Sequence, residues 1–264
     1  METILQGEGW EKGWNQLLEM MGNAAAVTDR SFAVPDGVNN GQYGVGIVID
    51  FFGLAGKYSG FPVDFVYPSM TSVVPANIAL IAGGKNPDEA KKFMAFSMST
   101  EGQQLLFDPK ISRLPILPYS QLKAPAGYPD PQEVAKRAKV QFDANLSEAR
   151  YQVVTSLFDQ MVTFRLKELQ GATKAIKDAE KALKAKPNAR GSDLVKQARA
   201  LAYTPLVGAE NVKNEQFLEL FRKSRRDVEV SKQLSGQEQL WANKARENYA
   251  RAQQLATEAR GLAK

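Results

Sequence analysis

The side chains with the clearest chemical potential stand at the end of one apolar run. In the stretch YGVGIVIDFFGLAG, residues 43–56, valine and isoleucine recur before Asp50, Phe51 and Phe52. A carboxylate beside two phenyl rings can line a cleft for an organic ligand. The same three residues can also be ordinary core at the end of a strand, and both interpretations stay open here.

A second group of polar side chains follows further along the chain. Tyr67, Ser69 and Thr71 carry hydroxyl groups, which can donate hydrogen bonds to a carboxylate or a phosphate. An ordinary turn before the next strand explains them equally well. Together with Asp50, Phe51 and Phe52 they form our set of candidate ligand-binding residues.

The composition excludes several kinds of catalytic and metal site. The 264 residues include no cysteine and no histidine, which removes thiolate and imidazole metal ligands, cysteine nucleophiles and every triad with an imidazole base. We therefore predict no metal, no cofactor and no enzymatic activity. No run of eighteen apolar residues suggests a membrane span, and the opening METILQGEGWEKGW lacks the basic-then-apolar pattern of a signal peptide.

The charge of the chain is uneven. The first 140 residues carry 12 Lys and Arg against 14 Asp and Glu, whereas the remainder carries 22 against 15. The basic residues of the second part alternate with acidic ones along helical faces, which is typical of a solvated surface. We therefore predict no nucleic-acid partner.

Strand and helix patterns alternate in the first half. The segments 43–49, 61–68 and 71–84 have the apolar, β-branched composition of strands. The first helix ends at Gly22 and Asn23, and the four-residue spacing of its Trp10 and Trp14 favours a place in the core over stacking on a ligand.

Another helix has a clear start. Asn86 is a suitable N-cap and Pro87 a suitable first residue, and the pattern predicts a buried face through Ala90, Phe93, Met94 and Phe96. A shorter helix follows, for which Thr100 and Gln103 predict a capping box.

The second half has a helical period almost throughout. In 147–185 apolar residues recur at steps of three and four, through Leu169, Ile176 and Leu183. Ser192 and Ser235 are the predicted N-caps of two later helices. The sequence therefore predicts an α/β region over 1–130 and a mainly α-helical C-terminal region over 131–264.

Two stretches resemble a known family. NNGQYGVGIVIDFF and VVPANIALIAGGKNPDEAKKFMAFSMSTEGQ are similar to the second half of the extracellular (periplasmic) solute-binding proteins of ABC transporters, of the ferric-iron and phosphoglycerate type. The similarity extends from residue 1 to about 118 and is greatest over Lys85–Gln103.

The resemblance implies a fold, a mechanism and partners. It implies α/β, partial periplasmic-binding-protein-like lobes that close on a small ligand about a hinge, and an ABC permease as the membrane partner. It also implies a periplasmic or extracellular location. The chain is expected to be a C-terminal portion, with the first lobe largely absent.

One departure from the family pattern changes the expected ligand. Iron-binding members tend to have two adjacent tyrosines where this sequence has Phe51 and Phe52. Phenyl rings cannot ligate a metal ion, so the resemblance implies a small organic anion instead. The alternative is a helical structural or interaction protein with a remnant binding-protein scaffold, which self-associates through the helical region.

Overall fold

The chain folds into two compact units. The computed structural model describes residues 1–223 and 225–263. The first unit, called the helical unit, comprises Met1–Val27 and Asp143–Lys264; the second, called the middle unit, is Thr28–Phe142.

Twelve α-helices occur in the described part of the chain. In chain order they are α1 Glu2–Glu8, α2 Trp10–Met21, α3 Ala33–Asn39, α4 Asp50–Tyr58, α5 Pro87–Met98, α6 Thr100–Gln104, α7 Pro131–Arg137, α8 Ala144–Met161, α9 Leu166–Ala185, α10 Ala189–Tyr203, α11 Glu215–Arg222 and α12 Val228–Gly261. Four short 3-10 turns accompany them, at Leu105–Phe107, Tyr119–Gln121, Thr163–Arg165 and Asn211–Lys213. Among the described helices, none is long and apolar enough to cross a membrane.

The helical unit has one continuous apolar core. The long helix α12 packs against α9, α10 and α8, and α2 packs on α9 and α10. Leu169, Ile176 and Leu183 are buried in this core, as the helical period over 147–185 predicted. Trp10 and Trp14 are also buried there, with their rings edge to face at 5.8 Å between centroids.

Two predicted helices are interrupted. Gly9 separates α1 from α2 with a φ of 82°, a left-handed conformation that glycine adopts without steric cost. The helical pattern over 147–185 is divided by the 3-10 turn Thr163–Arg165 into α8 and α9. Apolar spacing alone did not indicate either break because the period continues on both sides.

Three predicted N-caps are wrong, each lying one to eight residues after the residue that caps the helix. Asp227, rather than Ser235, caps α12 by accepting hydrogen bonds from the backbone of Glu229 and Val230. Asn188 caps α10 in place of Ser192. In the same way, Ser99 precedes Thr100 and accepts the bond from Gly102. An earlier side-chain acceptor is available in each case, and the helix begins there.

The predicted α/β fold of partial periplasmic-binding-protein-like lobes is wrong, because the described residues include no β-strand. The segments 43–49, 61–68 and 71–84 have no regular secondary structure, and no backbone hydrogen bond joins them into a sheet. A strand exists only when a neighbour satisfies its N–H and C=O groups. Without such a neighbour their apolar side chains remain in water, and Val45 is 87% exposed.

The predicted buried face of α5 is wrong for a related reason. The helix begins at Pro87 as expected, but no residue of it is buried, and Phe93 is 62% exposed. An apolar helical face becomes buried only when a sheet or another helix covers it. No sheet is formed by the described residues.

Candidate functional site

The start of helix α4 brings most of the candidate residues together. Asp50 is the first residue of this helix, where a carboxylate interacts favourably with the positive end of the helix dipole. One carboxylate oxygen accepts a hydrogen bond from the backbone N–H of Phe51 at 2.8 Å. The other accepts a hydrogen bond from the Tyr67 hydroxyl at 3.0 Å.

The hydrogen bond from Tyr67 holds the segment after α4 against the helix start. Burial raises the pKa of Tyr67 far above its usual range, and the neighbouring Asp50 carboxylate raises this pKa further. The phenol therefore stays protonated and remains a donor to Asp50 at any ordinary pH.

Close approach of this segment depends on a glycine in α4. A Cβ atom on Gly53 would lie 2.1 Å from Cδ2 of Phe65, a distance that no side chain can occupy. The Phe65 ring in turn meets the Tyr67 ring edge to face, with 4.8 Å between centroids. Gly53 thus permits the packing that places Tyr67 beside Asp50.

Aromatic rings and one cation pack together at the start of α4, next to Asp50. The rings of Phe51 and Phe52 lie 4.4 Å apart, and Phe32 meets Phe52 edge to face at 5.2 Å between centroids. The guanidinium carbon of Arg113 stands 3.6 Å from the centroid of the Phe51 ring. We call Asp50, Phe51, Phe52, Tyr67 and Arg113 the Asp50 cluster.

Two predicted site residues are outside this cluster. Ser69 is exposed and Thr71 is half-buried, and within the described chain no hydrogen bond joins either of them to Asp50. Their assignment as ligand-binding residues stays a prediction, as does the assignment of the other four.

Sequence reasoning missed Arg113 and Phe32. Arg113 lies in the segment 108–131, whose six prolines indicated an extended path over the surface and gave no reason to single out one residue. Phe32 lies in a short apolar stretch before α3. No local motif connects either residue with Asp50, because their proximity depends on the path of the whole middle unit.

Two surface depressions of the helical unit have a different chemistry. One is lined by Glu180, Leu183, Lys184, Ser192 and Val195 and so has charges of both signs but no aromatic ring. The other lies along α12 and is lined by Ala250, Gln253, Gln254 and Thr257. It has neither a charged side chain nor an aromatic ring among these residues. Within the described chain, no group of three or more acidic side chains is arranged to hold a metal ion.

The titration of Tyr128 tests the packing of the middle unit. Tyr128 belongs to the small apolar core of this unit together with Leu54 and Phe107. Burial raises the pKa of Tyr128 from 10.0 to about 12. Because the folded pKa exceeds the unfolded one, the neutral phenol stabilises the fold up to about pH 10, and this stabilisation is lost as the pH rises towards 12.

The expected result is a difference titration with a midpoint near pH 12. Absorbance at 295 nm is recorded against pH for the wild type and for Tyr128→Phe, and the difference isolates one phenol. The same pair in denaturant is the control, with a midpoint near 10. A midpoint near 10 in the folded protein would contradict the burial of this ring.

Comparison with known proteins identifies the family. The sequence profile of the bacterial extracellular solute-binding proteins matches residues 1–136, which is about half of the chain and contains the whole Asp50 cluster. The chain belongs to this family of bacterial extracellular solute-binding proteins.

Two curated relatives carry a more specific name. The phosphoglycerate transport regulatory proteins PgtC of Salmonella typhimurium and of Salmonella typhi are each 32% identical to this chain over 185 residues. The similarity covers 70% of this chain but only 45% of each relative, so the chain spans less than half of their length. No solved structure matches the chain.

Proposed function

We propose that this protein is the substrate-binding component of an ABC importer and that it binds a small organic anion without transforming it. The observation that carries the proposal is the family match over residues 1–136. The solute-binding part is assigned to residues 1–130, and a membrane-embedded permease is the proposed partner. The proposed location is periplasmic or extracellular, as is usual for this family.

The Asp50 cluster supports the choice of an organic ligand. Phe51 and Phe52 offer apolar ring surface and no metal-binding atom, whereas Arg113 offers a positive charge. Sites for organic solutes combine mostly apolar walls with a few placed polar groups. The relatives' name, which contains phosphoglycerate, supports a phosphorylated carboxylate as the ligand class.

Ligand binding should stabilise the folded chain. A ligand that binds only the native state raises the free energy of unfolding by about 2.7 kcal/mol at a hundredfold excess over its dissociation constant. We expect 3-phosphoglycerate to raise the midpoint of thermal unfolding and to give a saturable heat in isothermal titration calorimetry.

Neutral and inorganic controls make this test specific. Glycerol has the carbon skeleton without the anionic groups, and sodium sulfate at equal ionic strength supplies only an inorganic anion. We expect neither to reproduce the effect of 3-phosphoglycerate. Equal stabilisation by all three compounds, or none by any of them, would contradict the proposed function.

A second candidate, an interaction protein that self-associates, is favoured by one observation. The segment 65–84 contains no charged residue, and its Val66, Val74 and Ile81 side chains are exposed. Natural proteins usually protect extended apolar segments with charges. Light scattering on the same samples, read with the thermal unfolding, distinguishes the two functions. A dimer whose stability does not respond to the ligand favours this candidate, whereas stabilisation of the chain by the ligand favours solute binding.

A further inference from the structure

Arg113 is an exposed cation that is held in place without a charged partner. Its guanidinium lies over the Phe51 ring, with 3.6 Å between the guanidinium carbon and the ring centroid. Among the described residues, none forms an ion pair or a hydrogen bond with this guanidinium. Stacking on a phenyl face orients a guanidinium but leaves the N–H groups at its edge free.

The backbone at Arg113 is fixed by its neighbours. Its N–H donates to the carbonyl of Leu106 at 2.9 Å, and its carbonyl accepts from the Tyr128 hydroxyl at 3.4 Å. These two bonds come from different parts of the middle unit. The side chain therefore starts from a defined position.

The preceding residue is in a strained conformation. Ser112 has a φ of 48°, the one positive φ among the described non-glycine residues, and it is completely buried. Its hydroxyl donates to the carbonyl of Pro109 at 2.9 Å. A side chain in this region costs about 1–3 kcal/mol and persists where the surroundings require it, often at binding sites.

A fixed and unpaired guanidinium is suited to one kind of ligand group. Its planar N–H donors match the two oxygens of a carboxylate or a phosphate in a bidentate contact. Asp50 does not pair with Arg113 in this structure: its oxygens accept from Phe51 and Tyr67, and no ion pair joins it to the guanidinium. The N–H groups of the exposed Arg113 are therefore open to water or to an acceptor on a ligand.

We propose that Arg113 is the anion-recognition residue of the solute site and binds the oxyanion group of the solute by a bidentate hydrogen bond. Phe51 then orients the guanidinium by stacking, and Asp50 is a positioning residue that holds Tyr67 by a hydrogen bond. This inference rests on the proposed solute-binding function and adds the group of the ligand that is recognised.

Calorimetric titrations of four forms of the full chain test this proposal. The forms are the wild type, Arg113→Gln, Arg113→Lys and the control Arg137→Gln, which removes the same charge from an exposed position at the end of α7. The probes are 3-phosphoglycerate, glycerate and inorganic phosphate. Circular dichroism on each form verifies that the variants fold, which we expect because both arginines are exposed.

We expect Arg113→Gln to weaken 3-phosphoglycerate binding about tenfold or more. The loss of one hydrogen bond to a charged group is enough to raise the dissociation constant about tenfold. Arg113→Lys should give an intermediate affinity, because lysine keeps the positive charge but lacks the planar pair of N–H donors that makes the bidentate contact. Arg137→Gln should bind as the wild type does. A parallel loss for inorganic phosphate would assign the contact to the phosphate, and a parallel loss for glycerate would assign it to the carboxylate.

Two outcomes would overturn the proposal and are distinguishable. If Arg113→Gln binds 3-phosphoglycerate as tightly as the wild type and Arg137→Gln, then Arg113 does not recognise the anion, and the proposed function stands. If the wild type binds none of the organic probes, the proposed function fails and this inference fails with it.

Discussion

We expect Leu157→Ala to lower the free energy of unfolding of the helical unit by about 2–5 kcal/mol. Leu157 lies on α8 with none of its surface exposed, inside the core that joins α8 to α9, α10 and α12. Truncation removes the transfer free energy of the lost methyl groups and leaves a cavity that the packed helices fill only in part. Denaturant unfolding followed by tryptophan fluorescence measures the change.

The tryptophans make this measurement specific to one unit. All three, at positions 10, 14 and 241, belong to the helical unit, so fluorescence reports its unfolding. Leu240→Ala on α12 is the matched control, because this leucine is 65% exposed and its truncation should change stability by no more than about 0.5 kcal/mol. Equal losses for both variants would contradict the described core.

Arg150→Met should cost about 3–5 kcal/mol. Arg150 and Glu2 form a bidentate ion pair, with N–O distances of 2.8 to 3.1 Å, and their side chains are only 8% and 11% exposed. Removing the arginine takes away the guanidinium that neutralises the buried Glu2 carboxylate and leaves Gln6 as a neutral donor to it. The substitution also removes the Arg150 guanidinium from its position 5.2 Å from the centroid of the Trp10 ring.

An exposed pair with a single hydrogen bond is the control. Arg190 and Glu258 are 2.9 Å apart, but their side chains are 74% and 47% exposed, so Arg190→Met should cost no more than about 1 kcal/mol. The double variant Arg150→Met with Glu2→Gln should recover part of the loss, because no unpaired charge is then buried. An Arg150→Met loss no larger than that of Arg190→Met would contradict this account of the pair.

Periodicity predicted the helical unit well. Leu169, Ala172, Ile176, Ala179 and Leu183 recur at steps of three and four, and the helix that carries them buries that face against α12. Helical hydrogen bonds are local, so the residues within a segment suffice to predict it. The burial of Trp10 and Trp14 was predictable for the same reason.

The middle unit was much less predictable. The composition of segments such as 43–49 was typical of strands, but a strand depends on residues elsewhere that satisfy its backbone. The described residues provide no such neighbour, and Val45 and Ile47 remain exposed. The same dependence accounts for α5, whose Phe93 and Phe96 are exposed although the helix itself begins where Pro87 indicated.

The candidate site was predicted in part. Asp50, Phe51 and Phe52 were conspicuous because they end an apolar run, and Tyr67 does reach Asp50. Arg113 was missed because it is distant in sequence and belongs to no motif. Its position depends on the strained Ser112 and on the hydrogen bonds of its backbone with the Leu106 carbonyl and the Tyr128 hydroxyl, none of which a linear pattern reveals.

The most direct test of the central claim is an NMR titration of the full chain with 3-phosphoglycerate, observed at the arginine Nε–Hε groups. We expect the Arg113 signal to shift on saturation, whereas the signal of Arg150, which donates to Glu2 through Nε, should not move. A titration in which Arg113 stays unchanged while 3-phosphoglycerate binds elsewhere would contradict the assignment of the solute site to the Asp50 cluster.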